Sequence, residues 1–125
     1  MVYLKIKQST IKNAGRGVFS TKAFKKGEII EKCPMLVIGQ KHTEPICKTG
    51  LQYYLFSHPD NKQTILALGY GSLYNHHELP NALYEMDTDD MILCIKARTY
   101  IRKGKEIFIN YGGYYGAKYD LWWTY

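Results

Sequence analysis

The sequence predicts a mostly β domain with little helix. Val2, Leu4 and Ile6 alternate with polar or amphipathic neighbours, which is the period of a half-buried strand. Turn signals containing glycine or proline recur about every ten residues, and no long stretch has a convincing 3.6-residue period. The chain has 125 residues, enough for one hydrophobic core, so we expect a single domain over residues 1–125.

Short apolar runs follow one another along the whole chain and are the candidate strands. They cover residues 2–6, 18–19, 29–30, 35–38, 53–56, 65–68, 82–86, 91–95 and 107–111. Residues 87–90 are rich in aspartate, so the two runs beside them are predicted to form a hairpin. Residues 39–50 show little pattern and are expected to form a loop or a variable insert. Weak helical periodicity appears only at 48–56 and 116–123.

The charge is divided unevenly along the sequence. Seventeen Lys and Arg against eleven Asp and Glu give +6. Residues 1–32 contain eight basic and two acidic residues, a net of +6, whereas residues 63–95 contain five acidic and no Lys or Arg residues, a net of −5. The basic segment predicts contact with nucleic acid or another anionic surface. Alternatively, its lysines solvate an edge strand and the adjoining turns.

Several classes of protein are disfavoured by what the sequence lacks. No stretch approaches the ~20 apolar residues of a membrane span, and the N-terminus has no apolar run typical of a signal peptide. We therefore expect an intracellular protein that is neither secreted nor membrane-bound. Cys33, Cys47 and Cys94 are odd in number and widely separated, which favours buried thiols over disulfides or a four-ligand zinc site.

Four segments contain residues suited to chemistry. Gly15-Arg16-Gly17-Val18-Phe19 allows close backbone approach to a ligand, but taken alone it is better explained as a plain tight turn. Asn75-His76, followed by Pro80-Asn81, places an amide beside an imidazole, and a capped turn is its alternative. Gly104-Lys105-Glu106-Ile107 leads to Tyr111-Gly112 at a strand end. The aromatic C-terminus contains Tyr114, Tyr115, Tyr119, Trp122, Trp123 and Tyr125.

In this order and spacing, the first three segments resemble the motifs of the SET-domain family of protein-lysine methyltransferases. The resemblance covers about residues 3–116 and leaves 117–125 as an aromatic tail; it is nearest to the minimal viral and bacterial members. It implies short β-sheets with a C-terminal pseudoknot. His77 and Glu78 stand where the family usually has Ser-Cys, and no cysteine-rich zinc segment follows the last motif.

The resemblance also implies an activity: transfer of a methyl group from S-adenosylmethionine to a lysine ε-amine, leaving S-adenosylhomocysteine. The substrate would be a histone tail or another basic protein, which would place the chain in a nucleus, including that of a host. Tyr111 corresponds to the catalytic tyrosine, and Ile109 and Tyr115 to substrate-binding positions. The expected cofactor-binding residues are Gly15, Arg16, Gly17, Tyr54, Asn75, His76 and Trp122. No metal is expected, because the adjacent His76 and His77 would point to opposite faces of an extended segment.

Two other functions are compatible with these residues. A small basic β-barrel could bind nucleic acid through its lysines and aromatic side chains without catalysing a reaction. A catalytically inactive SET domain could serve as an interaction or dimerisation module, and a homodimer is compatible with so small a domain carrying an aromatic tail. The order of the motifs favours the enzyme, because a nucleic-acid-binding barrel has no use for them.

Overall fold

The computed structural model describes residues 2–118. Within them lie nine strands, one α-helix and two short 3-10 helices. The strands are β1 (Leu4–Gln8), β2 (Arg16–Ser20), β3 (Ile29–Ile38), β4 (Leu55–Ser57), β5 (Thr64–Ala67), β6 (Asn75–His76), β7 (Ala82–Asp87), β8 (Ile92–Ala97) and β9 (Glu106–Ile109); the helix is α1 (Gln40–Ile46), and the 3-10 helices cover Gly50–Tyr54 and Gly71–Leu73. The predicted mostly β class is confirmed.

The strands form two sheets. One has the order β1-β2-β9-β6 and the other β4-β5-β3-β8-β7. All pairs are antiparallel except β6 with β9, which run parallel with Asn75 opposite Phe108 and His76 opposite Ile109. Because parallel neighbours end at the same edge of a sheet, the residues that follow β6 and β9 emerge side by side. That edge carries the candidate site.

The second sheet is built around one long strand. The runs at 29–30 and 35–38 join into the ten-residue strand β3, which pairs with β8 on one side and β5 on the other. Pro34 lies inside it without disrupting a ladder. The Met35 amide donates to the Met91 carbonyl on the β8 side (2.9 Å), so the Pro34 nitrogen faces the β5 side. There Pro34 stands at the end of the β3–β5 pairing, and its carbonyl still accepts from the Leu68 amide (2.9 Å).

The core lies between the two sheets and follows the two-residue period of the strands. Val18 of β2 is paired with Ile107 of β9, and both are fully buried. In β8 the alternate residues Leu93, Ile95 and Ala97 are buried in the same way. The predicted hairpin at 82–95 is confirmed as β7 and β8.

The prediction of a loop over 39–50 is wrong for its first half, which forms α1. The helix has no buried residue and no side-chain N-cap, and it contains Pro45. It therefore lacks the apolar face, the cap and the composition by which a helix is recognised in a sequence. The weak periodicity at 48–56 corresponds to the 3-10 helix Gly50–Tyr54.

The segment after β9 packs against the loop after β6. The Gly116 amide donates to the Glu78 carbonyl (2.8 Å), and the buried Asn110 side chain donates to the carbonyls of Ala117 (2.8 Å) and Glu78 (3.2 Å). This docking of the C-terminal segment onto an earlier loop is the arrangement expected of the pseudoknot. No helix within residues 2–118 is long and apolar enough to cross a membrane.

Candidate active site

The site forms where the parallel strands β6 and β9 end. The imidazole of His76 is 5% exposed, and its Nδ1 accepts a hydrogen bond from the Tyr111 amide (2.9 Å). The Tyr111 hydroxyl donates to the Tyr74 carbonyl (2.7 Å). His76 of β6 therefore fixes the main chain of Tyr111, and Tyr74, just before β6, fixes its side chain.

A buried carboxylate organises the other side of β6. Glu106 is 4% exposed and accepts hydrogen bonds from the Asn75 side chain (3.0 Å), the Ser9 hydroxyl (2.9 Å) and both the amide (2.8 Å) and hydroxyl (2.6 Å) of Thr10. Asn75 Nδ2 also donates to the Arg16 carbonyl (3.0 Å). A buried carboxylate is tolerated when its oxygens are satisfied in this way. The network ties the loop before β2 to β6 and β9.

The two glycines of the first motif serve different purposes. Gly15 has a φ of +79°, a conformation that residues with a Cβ adopt rarely. Gly17 has ordinary torsions, but a Cβ there would lie 2.2 Å from Glu106 Oε2 and 2.9 Å from Asn75 Nδ2. The first glycine shapes the turn, and the second leaves room for the Asn75–Glu106 network.

Two cavities meet at Tyr111. The glycine-side cavity, of about 260 Å³, is lined by Ala14, Gly15, Arg16, Tyr53, Tyr54, Ser72, Leu73, Asn75 and Tyr111. The tyrosine-side cavity, of about 320 Å³, is lined by Tyr53, Tyr54, Leu55, Phe56, Ser57, Gly71, Ser72, Tyr74, Tyr84, Tyr111 and Gly112. Tyr53, Tyr54, Ser72 and Tyr111 line both. The Tyr111 side chain thus stands at the junction between a glycine-bordered and an aromatic space.

Burial sets the protonation of two groups beside this junction. It lowers the pKa of His76 below 6.5, and the neighbouring His77 adds to the effect while Glu78 opposes it. A neutral imidazole whose Nδ1 accepts from the Tyr111 amide carries its proton on Nε2. Burial also raises the pKa of Tyr74 well above 10, supported by Glu31, whose Oε1 accepts from the Tyr74 hydroxyl (2.8 Å). The Tyr74 side chain is therefore neutral and fixed in the core behind the tyrosine-side cavity.

Most of the residues proposed from the sequence come together here. Gly15, Arg16, Tyr54 and Asn75 line the same cavity as Tyr111. Gly17 and His76 do not line the cavity but contact residues that do. Gly17 packs against the Asn75 side chain, and His76 is hydrogen-bonded to the Tyr111 amide. Trp122 lies outside the described residues, as does all of the tail beyond Lys118.

The structure does not bring the two expected substrate positions into either cavity. Ile109 is fully buried in the core, because it shares the inward face of β9 with Ile107. Tyr115 packs against the Arg98 guanidinium, 4.1 Å from ring centre to Cζ, and lines a separate depression of about 300 Å³. Tyr84 borders that depression and the tyrosine-side cavity.

Sequence reasoning missed three residues that build the site. Glu106 stands inside the third motif, but its partners Ser9 and Thr10 are almost a hundred residues away, and nothing local indicates them. Tyr53 adjoins Tyr54, and the run of aromatics there was a usable signal. Tyr84 lies in a hairpin strand of ordinary composition and gave none. It reaches the cavity because β7 edges the second sheet.

Within the described part of the chain, no group of three or more His, Cys, Asp or Glu residues is placed to hold a metal ion. His76 contacts the Tyr111 ring (5.2 Å between centres), whereas His77 contacts Phe108 (5.4 Å). Cys33 is buried, and Cys47 and Cys94 are half-buried; all three are free thiols.

The family model described as SET domain matches residues 15–112. A Schizosaccharomyces pombe protein described as a histone-lysine N-methyltransferase, H3 lysine-37 specific, is 31% identical over 99 residues, covering 78% of this chain and 67% of the relative.

Solved structures agree with that match. The crystal structure of a candidate histone methyltransferase of Plasmodium falciparum aligns with a TM-score of 0.74 at 34% identity, covering 92% of this chain and 97% of that one. Polycomb Repressive Complex 2 from Chaetomium thermophilum, in an autoinhibited conformation bound to S-adenosylmethionine, shares the fold with a TM-score of 0.75 at 18% identity, over 89% of this chain and 15% of that chain. None of these three is viral or bacterial, so the expected closeness to such members stays a prediction.

Proposed function

This chain belongs to the SET-domain family, and from that membership we propose that it is an S-adenosylmethionine-dependent protein-lysine methyltransferase acting on histone H3 or a similarly basic protein. The observation that carries the proposal is the position of Tyr111 where two cavities meet. A transfer between two bound molecules needs the donor and the acceptor to approach from two sides of one point. Tyr111 marks that point.

The residues of the glycine-side cavity suit the cofactor. Gly15 has open space where a Cβ would stand, so the backbone there can approach a ligand. The rings of Tyr53, Tyr54 and Tyr111 offer aromatic surface to a cation such as a sulfonium. When bound, S-adenosylmethionine supplies an electrophilic methyl group. We assign its binding to the backbone around Gly15 and Arg16, with Tyr54 and Asn75.

The tyrosine-side cavity suits a lysine side chain. Free lysine has a pKa of ~10.4, so removing its proton at pH 7 costs roughly 4.6 kcal/mol, from ~3.4 units at ~1.36 kcal/mol each. Walls made of Tyr54, Tyr84 and Phe56 exclude water and disfavour the charged ammonium. An aromatic channel of this kind lowers the cost of presenting a neutral amine.

The Tyr111 hydroxyl then orients the amine. A tyrosine hydroxyl can donate one hydrogen bond and accept others. The Tyr111 hydroxyl donates to the Tyr74 carbonyl (2.7 Å), and in the proposed complex it accepts a hydrogen bond from an N–H of the amine. An amine held in this way keeps its own lone pair directed away from Tyr111 and free to face the glycine-side cavity. The His76–Tyr111 hydrogen bond fixes the main chain that carries the hydroxyl.

The alternatives fit these contacts less well. A nucleic-acid-binding barrel has no use for a buried Glu106 that is fully engaged with Asn75, Ser9 and Thr10. An inactive SET domain would be free to lose Tyr111 or Asn75, yet both are present and hydrogen-bonded. The intact network favours an active enzyme.

Partners and location follow from the proposed substrate. A histone substrate would place the protein in a nucleus, and the basic segment 1–32 would lie towards nucleic acid. A homodimer remains a prediction from the small size and the aromatic tail, and sedimentation of the purified chain tests it directly.

Calorimetry with S-adenosylmethionine, followed by mass spectrometry of histone H3 and of H3 peptides covering each lysine, tests the proposed function. We expect saturable cofactor binding and a gain of methyl mass on lysine. Absence of cofactor binding by the folded chain would contradict the enzyme proposal. Binding without transfer to any H3 peptide, free histone or lysate protein would support the inactive-domain alternative instead.

A further inference from the structure

Two basic turns meet at the end of β9 opposite Tyr111. One is the turn between β2 and β3, residues 21–28, and the other is the turn before β9, residues 100–105. Phe24 and Ile101 exchange two backbone hydrogen bonds of 2.9 Å and join the turns in an isolated bridge. The sequence places them more than seventy residues apart, and the fold makes them neighbours.

Ser20 locks the second turn in place. Its amide donates to the Lys105 carbonyl and its carbonyl accepts from Gly104, both at 2.9 Å. The Ser20 hydroxyl also donates to the Arg102 carbonyl at 2.9 Å. The backbone that carries these cations is thus held by a strand of the first sheet rather than by an isolated loop.

The joined turns carry a concentrated positive charge, and we call their cations the basic rim. The rim consists of Lys22, Lys25, Lys26, Arg102, Lys103 and Lys105, with Glu28 as the single acid of the two turns. Glu28 is engaged by the Lys22 ammonium and the Lys25 amide. Six cations against one acid leave +5, and every member except Lys22 is exposed.

An exposed aromatic side chain accompanies the charge. Tyr100 is 59% exposed and shares an open depression with Lys22, Lys25 and Lys26. Lys22 itself lies over the rings of Tyr3 (5.2 Å) and Phe24 (4.9 Å), which keeps its stem against the protein. Clustered cations beside an exposed ring are suited to phosphates together with a sugar or base.

We propose that the basic rim binds the phosphate backbone of duplex DNA without sequence specificity. The surface goes beyond the proposed function and does not depend on it, because the strand β9, Glu106–Ile109, separates the turn at 100–105 from Tyr111. It narrows the contact expected of residues 1–32 to their second half and adds the turn at 100–105, which that expectation did not include.

The test is the salt dependence of binding to a fluorescent DNA duplex, followed by anisotropy. The rim variant carries Lys25→Gln, Lys26→Gln and Lys103→Gln. The control variant carries Lys41→Gln, Lys48→Gln and Lys62→Gln, three exposed lysines elsewhere with the same change of net charge. Each lost phosphate contact lowers the slope of log affinity against log salt by about 0.9, so the rim variant should lose up to about 2.7 of that slope.

We expect the rim variant to bind DNA at least about tenfold more weakly at low salt, and the control variant to bind nearly as the wild type does. Unchanged melting temperatures would confirm that both variants fold. Equal loss in the two variants would reduce the effect to net charge and overturn the proposal. Absence of DNA binding by the wild type, or tighter binding to phosphatidylserine vesicles than to DNA, would overturn it as well.

Discussion

The polar side chains near the two ends of β9 differ in burial and in hydrogen bonding. Beyond its C-terminal end, Tyr111 and its partner His76 are hydrogen-bonded at fixed distances, and His76 is almost fully buried. On the turn before its first residue, the buried Glu106, the side chains of Arg102, Lys103 and Lys105 face solvent, while hydrogen bonds hold the backbone of the turn. One strand therefore connects a precisely ordered site with a diffuse charged surface.

The difference shows which kind of work each end can do. Buried, paired groups hold atoms in one geometry and suit a reaction at a point. Exposed cations act over about 8–10 Å at moderate salt and suit association with an extended anion. The net charge of +6 is informative about the exposed cations before β9, but it says nothing about the ordered site at Tyr111.

The largest expected effect comes from removing one hydroxyl at the ordered end. Tyr111→Phe deletes the hydrogen bond to the Tyr74 carbonyl and the acceptor for the amine, so turnover on a lysine peptide should fall on the order of 10²-fold or more. Cofactor affinity, measured by calorimetry, should stay near the wild-type value. Tyr114→Phe, at an exposed tyrosine, is the control. Equal turnover in Tyr111→Phe and wild type would remove Tyr111 from its role.

A smaller effect should follow from filling the space at Gly17. In Gly17→Ala the new Cβ would overlap Glu106 Oε2 and press on Asn75 Nδ2, so the network must shift. We expect a loss of about 1–3 kcal/mol in the free energy of unfolding, measured with urea, and weaker cofactor binding. Gly39→Ala, where a Cβ meets nothing within 4 Å, is the matched control. A Gly17 variant as stable as the Gly39 variant would contradict the packing role.

The pH dependence of stability should report the buried His76. Because its folded pKa lies below 6.5, the unfolded chain binds the proton more readily. The contribution of His76 to the free energy of unfolding is therefore full above pH ~6.5. It is lost as the pH falls through the lower pKa that His76 has in the folded protein. Melting temperatures between pH 8 and pH 5 should decline less steeply in His76→Gln than in the wild type. Parallel curves for the two proteins would contradict this assignment.

The smallest effect concerns how a basic substrate approaches. Residues 63–95 hold the hairpin tip, where Asp89 and Asp90 are exposed, while Asp87 caps the turn by accepting from both of their amides (3.0 Å). Asp89→Asn with Asp90→Asn should raise the KM for a basic peptide a few-fold at low salt and leave it unchanged at high salt. An unchanged KM in the double variant at low salt would contradict the idea that the acidic hairpin tip attracts the basic peptide.

The features that could be predicted from the sequence are those with a local signal. The alternation in β1, the aspartate-rich turn of the β7–β8 hairpin and the motifs ending in Tyr111 were all visible. The roles of Glu106 and Tyr84 were not, because their partners are set by which strands become neighbours. Ile109 shows the same limit. The sequence gives its position two residues before Tyr111, but whether its side chain is buried depends on which face of β9 packs against the core.

The two turns of the basic rim have similar sequences but different surroundings. The sequence shows that Lys26-Gly27-Glu28-Ile29 is echoed by Lys103-Gly104-Lys105-Glu106-Ile107. It does not show that the two turns are joined through Phe24 and Ile101. It also does not show that Glu28 pairs at the surface while Glu106 is buried beneath Asn75. Equivalent motifs took different roles because their tertiary neighbours differ.

The separation of the two ends is tested most directly by turnover on a free H3 peptide, measured side by side for wild type, Tyr111→Phe and the rim variant. We predict that Tyr111→Phe loses methyl transfer and that the rim variant, assayed without DNA, transfers methyl groups at close to the wild-type rate. A folded rim variant that loses transfer as fully as Tyr111→Phe would contradict the division of labour along β9.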